Sequence, residues 1–349
     1  MYKAQNFISK NYILKPEIFQ WEQSAPSNIA LVKYWGKFEE QIPMNPSVSF
    51  TLNKSKTITK AIGEYKKDDK EIVFEFFFEG KRNPDFEPKI YQFLNNILDY
   101  VPFIKNYKFV FDSQNTFPHS SGIASSASGF AALAKIIVAL EKQLTNEEQT
   151  EDFWLKKTSF LARLGSGSAA RSIEHPVSIW GKHPDLPSTS DGYAVKPDFE
   201  IHPVFKNFKD SIVLVEKGQK KVSSSAGHQL MNGHPYKEIR KKQAFANTLS
   251  ILKTLKNGAI DEFIRITEAE ALSLHALMMT SNPNYILMQP ETLKIIHAVR
   301  DFRKKTGTKL CFTLDAGANV HVLYPEGQAN EIRKFLSEIT EKNIIHDEI

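Results

Sequence analysis

The chain has 349 residues, 41% of them hydrophobic and 25 of them Phe, enough for a large core and for roughly two domains. Its net charge of +5 is mild for this length, and no block of five Lys or Arg occurs, so the charge suits a small polyanionic substrate at least as well as nucleic acid. No apolar run reaches the length of a membrane span. The single cysteine, Cys311, lies between Leu310 and Phe312; it excludes internal disulfides and reads as a core thiol. With an N-terminus that lacks the apolar core of a signal peptide, these features lead us to expect a cytoplasmic protein with no membrane segment. The ten His show neither zinc-finger spacing nor an H-E-x-x-H pattern.

In chain order, residues 1–23 read as an extension packing through Phe7, Ile13, Phe19 and Trp21. Ser24 to Lys37 follows, strand-like from Ile29 to Trp35, with Asn28, Lys33 and Lys37 as polar exceptions. In N-P-S-V-S-F-T-L, Val48, Phe50 and Leu52 alternate with Ser47, Ser49 and Thr51, a strand period. Lys56 to Ile62 and Glu71 to Phe78 are two further strands, Pro88 to Tyr100 a helix and Tyr107 to Phe111 a strand. Phe117 to Ser128, F-P-H-S-S-G-I-A-S-S-A-S, is a loop of small residues running into Gly129 to Leu144, which is apolar nearly all round and reads as a buried helix. A helix from Glu151 to Leu164 meets a second small-residue loop, G-S-G-S-A-A-R-S, Gly165 to Ser172. Gly181 to Gly192 reads as a surface loop and Ser211 to Val215 as a strand, followed by a polar loop from Lys217 to Ser225. Helices over Tyr236–Leu255, Asp261–Met278 and Glu291–Lys304 come next. Strands at Lys309–Leu314 and Val320–Tyr324 then hinge on D-A-G-A-N, and a helix covers Asn330–Ile339. Strand groups alternating with helices indicate an α+β protein in two parts, divided near 190–205.

Four polar stretches carry the chemistry. At the Phe117–Ser128 loop, a helix N-terminus offers unpaired N–H groups and a positive dipole end to phosphate, and serine hydroxyls add contacts to phosphate or Mg²⁺. It is not a Walker loop, since no Lys follows the last glycine in a G-K-[ST] arrangement. Asn28, Lys33, Tyr34 and Lys37 lie in or beside an apolar strand. A strand Lys is ordinarily on a solvated face, so Lys33 gains meaning only from its company. In Gly165–Ser172, two glycines let the backbone approach a ligand, Ser166 and Ser168 offer hydroxyls, and Arg171 grips carboxylate or phosphate as a fork. Asp315 ends an apolar strand before Ala316 and Gly317, where its carboxylate is partly desolvated.

The serine loop resembles the phosphate loop of the GHMP small-molecule kinase superfamily, and the four stretches together resemble one of its families, the diphosphomevalonate decarboxylases. N-I-A-x-x-K-Y-W-G-K stands at Asn28–Lys37, A-S-S-A-x-G at Ala124–Gly129, G-S-G-S-A-x-R-S at Gly165–Ser172 and D-A-G-x-N at Asp315–Asn319, with a weaker match in K-K-V-S-S-S-A-G, Lys220–Gly227. The first is the most diagnostic, because general GHMP kinases lack it. The resemblance implies a GHMP kinase fold: an N-terminal ribosomal protein S5-like domain, assigned to residues 1–200, and a C-terminal ferredoxin-like domain over 201–349, with the site between them. It implies ATP-dependent decarboxylation of (R)-5-diphosphomevalonate by a homodimer; the alternatives are a related decarboxylase or 3-kinase acting on mevalonate 5-phosphate or mevalonate, and a catalytically inactive GHMP-fold binding protein. Charge and composition add the expectation of a cytoplasmic protein that binds neither nucleic acid nor membrane. Asp315 is then the base at the tertiary hydroxyl, with Lys33 beside it, while Arg171 and Asn28 hold the substrate carboxylate. Tyr34, Lys37, Ser166 and Ser168 bind the diphosphate. Ser120, Ser121, Gly122, Ala124, Ser125 and Ser126, with Lys220 and Lys221, wrap ATP, and Ser125 or Ser126 lies near Mg²⁺. His119, Ser120 and Ser121 depart from the family's usual Thr and Ala, Ala170 from Cys, Ala318 from Pro and His228 from Met. None of these changes removes a catalytic charge.

Overall fold

The computed structural model describes residues 5–8, 11–15, 17–67, 70–118, 123–146, 148–173, 175–216 and 224–349. Ser120, Ser121, Gly122, Lys220 and Lys221 lie outside these ranges, as does most of the Lys217–Ser225 segment. The first strand, β1 (Ile18–Val32), pairs antiparallel with β2 (Ser47–Tyr65). Two expectations change here. Ile18 to Gln23 belongs to the sheet and not to an extension, with Phe19 buried while Ile13 is 52% exposed. Lys56 to Ile62 is no separate strand but the far half of β2, which runs on past Leu52.

The strands β3 (Val73–Phe78), β4 (Lys81–Arg82) and β5 (Tyr107–Asn115) complete a sheet of order β1-β2-β5-β3-β4, and β6 (Val177–Trp180) pairs with the start of β2. Helices α1 (Glu87–Ile97), α2 (Ser125–Leu144) and α3 (Glu151–Gly165) share one apolar core with this sheet. Helix α2 begins four residues before the expected Gly129, so Ser125 and Ser126 form its first turn.

The second sheet contains β7 (Lys209–Val213), β8 (Cys311–Thr313), β9 (Val320–Tyr324) and β10 (Ile344–Glu348), ordered β10-β7-β9-β8 and antiparallel throughout. Helices α4 (Ser224–Gln229), α5 (Lys237–Asn257), α6 (Ile260–Met279) and α7 (Pro290–Thr306) fall between β7 and β8, and α8 (Ala329–Ile339) between β9 and β10. This is the β-α-β-β-α-β succession of a ferredoxin-like unit enlarged in its first crossover. The mixed α+β architecture is the expected one. Strands β6 and β10 were not anticipated, being short and, in β10, carrying His346, Asp347 and Glu348 among few apolar residues.

Pairing between β1 and β2 slips after Pro26: Pro26 faces Lys56 but Asn28 faces Thr51. Proline donates no N–H, and a bulge is where a strand tolerates it. The slip frees the N–H groups of Lys54 and Ser55, and the Asp347 carboxylate on β10 accepts both, at 2.8 and 2.7 Å. The two sheets are thereby joined through a side chain. The Gly181–Gly192 segment is also more than a surface loop: His183 and Thr189 are buried, and His183 Nε2 lies 3.1 Å from the Phe245 carbonyl on α5. Helix α6 packs on β8 and reaches across to β1, which brings the end of β1 to the turn after β8.

Candidate active site

Strand β1 stops at Val32, so Lys33, Tyr34 and Trp35 lie beyond it, contrary to the expectation of strand up to Trp35. Lys33 is 1% exposed, which removes the solvated-face alternative. Its ammonium donates to Asp315 Oδ1 at 3.0 Å, across 282 residues of sequence. Burial drives the Lys33 pKa down and the neighbouring Arg171 adds to this, against the pull of Asp315 and Glu270; the net direction is downward. Asp315 sits two residues past β8, with its side chain 29% exposed, so one member of the pair opens towards solvent. Its carbonyl accepts from Gly317 N–H at 2.7 Å and lies 3.1 Å from His275 Nε2, which fixes the turn.

Arg171 lies in the 3₁₀ turn Gly167–Arg171 directly after α3 and is buried. Its Nη1 donates to Ser47 Oγ at 2.5 Å and its Nη2 to Asn28 Oδ1 at 3.3 Å, while Nε, buried, has no partner among the described residues. Burial lowers its pKa to about 10, with Asp315 opposing, and the guanidinium stays charged at neutral pH. Asn28 completes the link by donating to Ser172 Oγ at 2.7 Å and to the Ser168 carbonyl at 3.3 Å. The bulge in β1 thus places Asn28 against the loop that carries Arg171. Two cations, Lys33 and Arg171, face one carboxylate here, an excess that favours an anionic ligand.

Tyr34 is half-buried, and its hydroxyl is buried without a partner among the described residues. Burial raises its pKa, so it stays a phenol. Its ring packs edge-on to Trp180 at 4.7 Å and against His228 at 4.3 Å. Gly167 owes its identity to this ring: a Cβ there would stand 2.6 Å from the Tyr34 hydroxyl oxygen. A Cβ at Gly165 would likewise meet Phe130 at 2.5 Å. Within the protein, the close approach that these glycines permit is to aromatic side chains. Ser166 and Ser168 are half-buried, with their hydroxyl oxygens 3.4 Å apart. Lys37 is turned elsewhere, its ammonium donating to Gln41 Oε1 at 2.8 Å.

At the N-terminus of α2, Ala124 adopts a left-handed conformation (φ 35°) and supplies no side-chain cap. Its carbonyl accepts the Ala127 N–H at 2.8 Å, while the Ser125 and Ser126 N–H groups have no acceptor among the described residues. Ser125 is half-buried and Ser126 exposed. Ser128, by contrast, is buried and bonded to Thr57 Oγ1 at 2.6 Å, a packing contact. Among the described residues no three His, Cys, Asp or Glu side chains gather to hold a metal.

Residue-by-residue reading missed a supporting layer. His228 accepts from Gly36 N–H through Nδ1 at 2.9 Å, which places its own proton on Nε2. Burial, then Lys37 and Arg171, lower its pKa to about 3, so it is neutral at physiological pH. Glu270, Arg240 and Asn45 bond to the Lys33 backbone. Glu270 had a faint signal: it shares a helical stripe with Phe263, Ile266, Leu274 and Leu277, a charge on an apolar face. Arg240, thirty residues earlier on another helix, had none.

Two family models match the chain: a diphosphomevalonate decarboxylase-like N-terminal domain over residues 25–194 and a mevalonate 5-diphosphate decarboxylase C-terminal domain over 211–349. The diphosphomevalonate decarboxylase of Ganoderma lucidum is 31% identical over 338 residues, covering 90% of this chain and 80% of that one. That of Saccharomyces cerevisiae is 27% identical, with 90% and 80% covered. Among solved structures, the mevalonate diphosphate decarboxylase of Staphylococcus aureus superposes with a TM-score of 0.81 at 29% identity, covering 95% of this chain and 96% of that one. A structure described as MDDEF in complex with MVAPP, AMPPCP and magnesium gives 0.80 at 29%, with 95% and 97% covered. With both halves matched in order and the fold shared along nearly its whole length, the chain belongs to the diphosphomevalonate decarboxylase family of the GHMP kinase superfamily.

Proposed function

We propose that the chain catalyses ATP-dependent decarboxylation of (R)-5-diphosphomevalonate, giving isopentenyl diphosphate, carbon dioxide, ADP and phosphate. The observation that carries this reading is the Lys33–Asp315 pair standing beside the Arg171–Asn28 pair. A tertiary hydroxyl leaves poorly and must first be phosphorylated. Asp315, open on one side, accepts the hydroxyl proton, and Lys33 orients its carboxylate and steadies the transferring phosphoryl group. Arg171 and Asn28 hold the substrate carboxylate so that its bond to C2 breaks as the phosphate leaves C3. The Arg171 Nε and Tyr34 hydroxyl, without partners among the described residues, are buried donors that an anion would satisfy. Tyr34, Ser166, Ser168 and Lys37 take the diphosphate, Lys37 by exchanging its bond to Gln41.

ATP phosphates take the first turn of α2, where the Ser125 and Ser126 N–H groups have no acceptor among the described residues, with Ala124, Ser125 and Ser126 as contacts. Ser120, Ser121, Gly122, Lys220 and Lys221, outside the described residues, are assigned to the same nucleotide. Mg²⁺ binds mainly through phosphate oxygens and water, with Ser125 or Ser126 beside it, a ligand set that hard divalent ions accept. We take the chain to form two domains, 1–200 and 201–349, and to act as a cytoplasmic homodimer without nucleic-acid or membrane partners; light scattering of the purified protein reads the oligomeric state. Among the described residues no helix is long and apolar enough to cross a membrane.

The test of the activity is release of ADP and carbon dioxide, measured separately with mevalonate, its 5-phosphate and its 5-diphosphate. Equal release of both products from the diphosphate alone is expected. ADP without carbon dioxide would mark a kinase, and preference for the monophosphate would move the substrate assignment.

A further inference from the structure

We propose that the Arg240–Glu270 pair is a positioning device for the reaction, holding the backbone of Lys33 so that its ammonium meets Asp315. The inference rests on the reading that Lys33 and Asp315 carry the chemistry. Arg240 on α5 and Glu270 on α6 are 3% and 0% exposed and meet fork to fork, each Nη 2.7 Å from a carboxylate oxygen. Arg240 Nη1 also donates to Gln243 Oε1 at 3.0 Å, and one further bond from each member of the pair goes to the same residue. Glu270 Oε2 accepts the Lys33 backbone N–H at 2.8 Å, and Arg240 Nη2 donates to the Lys33 carbonyl at 2.9 Å. Asn45 Nδ2 donates to the same carbonyl at 3.0 Å, and Asn247 Nδ2 steadies Glu270 Oε1 at 2.6 Å.

The location explains the need. Strand β1 ends at Val32, so neither main-chain group of Lys33 is carried by the sheet ladder. Both are buried and require partners. Apolar packing of equal volume generally stabilises as well as a buried ion pair, so a pair in this place is weak evidence of stability. What apolar side chains lack is a donor and an acceptor aimed at the two peptide groups that flank a single residue. A lysine side chain has four rotatable bonds, and fixing its backbone from both sides restricts where its ammonium can stand. Helix α6 also anchors the other partner, since His275, five residues beyond Glu270, lies with Nε2 3.1 Å from the Asp315 carbonyl. One helix therefore sets both ends of the 3.0 Å contact.

The test uses the full chain with Glu270→Gln and Asn247→Ala, assayed well below each variant's Tm. The Gln side chain keeps the shape and an acceptor but loses the charge that aligns Arg240. Misplacement by about 1 Å costs on the order of 100-fold in rate, so kcat should fall roughly 10- to 100-fold. KM for both substrates and the Kd for the diphosphate substrate should stay within about threefold, because ground-state contacts are intact. A folded Glu270→Gln variant with kcat within about threefold of the parent overturns the proposal, even if its Tm falls. Should that variant not fold, the half-buried Asn247 decides: a drop in kcat of about threefold or more with unchanged KM supports the device, and unchanged kcat overturns it. Asp315→Asn separates this inference from the reading beneath it. If Asp315→Asn is fully active, the catalytic reading fails and takes this inference with it. If it is inactive while Glu270→Gln is fully active, only the positioning role fails.

Discussion

Asp315 meets Lys33 with one carboxylate oxygen and faces solvent with part of the rest. If Asp315 is the proposed base, an isostere that cannot take a proton should not replace it. We expect Asp315→Asn to lower kcat by about 10²–10⁴-fold while substrate KM moves little. If Asp315 only shaped the turn into Gly317, the Asn variant would keep its activity and Asp315→Ala would lose thermal stability instead. Measuring kcat and Tm of both variants separates the cases. His228 gives a pH prediction with a definite sign. Its folded pKa, about 3, lies below the unfolded 6.5, so the unfolded chain binds the extra proton between those values. Stability from this residue is complete above the unfolded pKa and is lost as pH falls towards the folded one. Between pH 6.5 and 5 the loss should be about 2 kcal/mol. His228→Met cannot take up that proton, so urea unfolding of the variant should lack this part of the acid slope. An unchanged slope would show that His228 is not buried as a neutral ring.

Short turns following strands and helices make the site, and each has a device that sets its direction. Gly36, four residues past β1, has φ +89° and donates its N–H to His228. A Cβ there would stand 2.5 Å from Met44 Sδ and 3.1 Å from Met231 Cβ. Gly36→Ala should therefore cost about 1–3 kcal/mol in backbone strain, before any clash is relieved. It should also raise KM for the diphosphate substrate, since Tyr34 and Lys37 flank the turn. A variant with parental stability and KM would show that the turn has room to relax. The Arg171 turn depends in the same way on Gly167, whose missing side chain lets the Tyr34 ring lie against it.

The two sheets meet where β10 lies against β2, and Asp347 supplies the directional contact. A hydrogen bond to a charged group is worth about 1.5–3 kcal/mol, so losing both should destabilise by roughly 3–6 kcal/mol. Asp347→Ala should lower the urea midpoint and broaden or split the transition, because β10 is the last strand of one sheet and its anchor lies in the other. A single transition at the parental midpoint would show that apolar packing alone couples the halves. Activity should fall in parallel, since Lys33 and Arg171 come from the first part and Asp315 from the second.

How much of this was readable in advance follows from what each residue depends on. Periodicity and turn chemistry act over a few neighbours, which is why α1, α3, α6 and α7 lie close to their expected positions. It is also why Asn28, Lys33, Arg171 and Asp315 stood out by local context and motif resemblance. The same local signals misjudged what depended on partners: the join of Lys56–Ile62 to β2, the strand character of Ile18–Gln23, and β10, whose polar residues are held by β7 and by the freed N–H groups of β2. The alternation of strand and helix patterns determined the α+β class, and the order of the motifs the family, without the structure. The resemblance implied that Lys33 stands beside Asp315; only the tertiary structure decided that Lys33 is buried there and bonded at 3.0 Å, because the contact spans 282 residues and depends on α6 packing across both sheets. The Arg240–Glu270 clamp was decided there too: each residue on its helix is an ordinary charge, and burial around a strand end makes them necessary to each other.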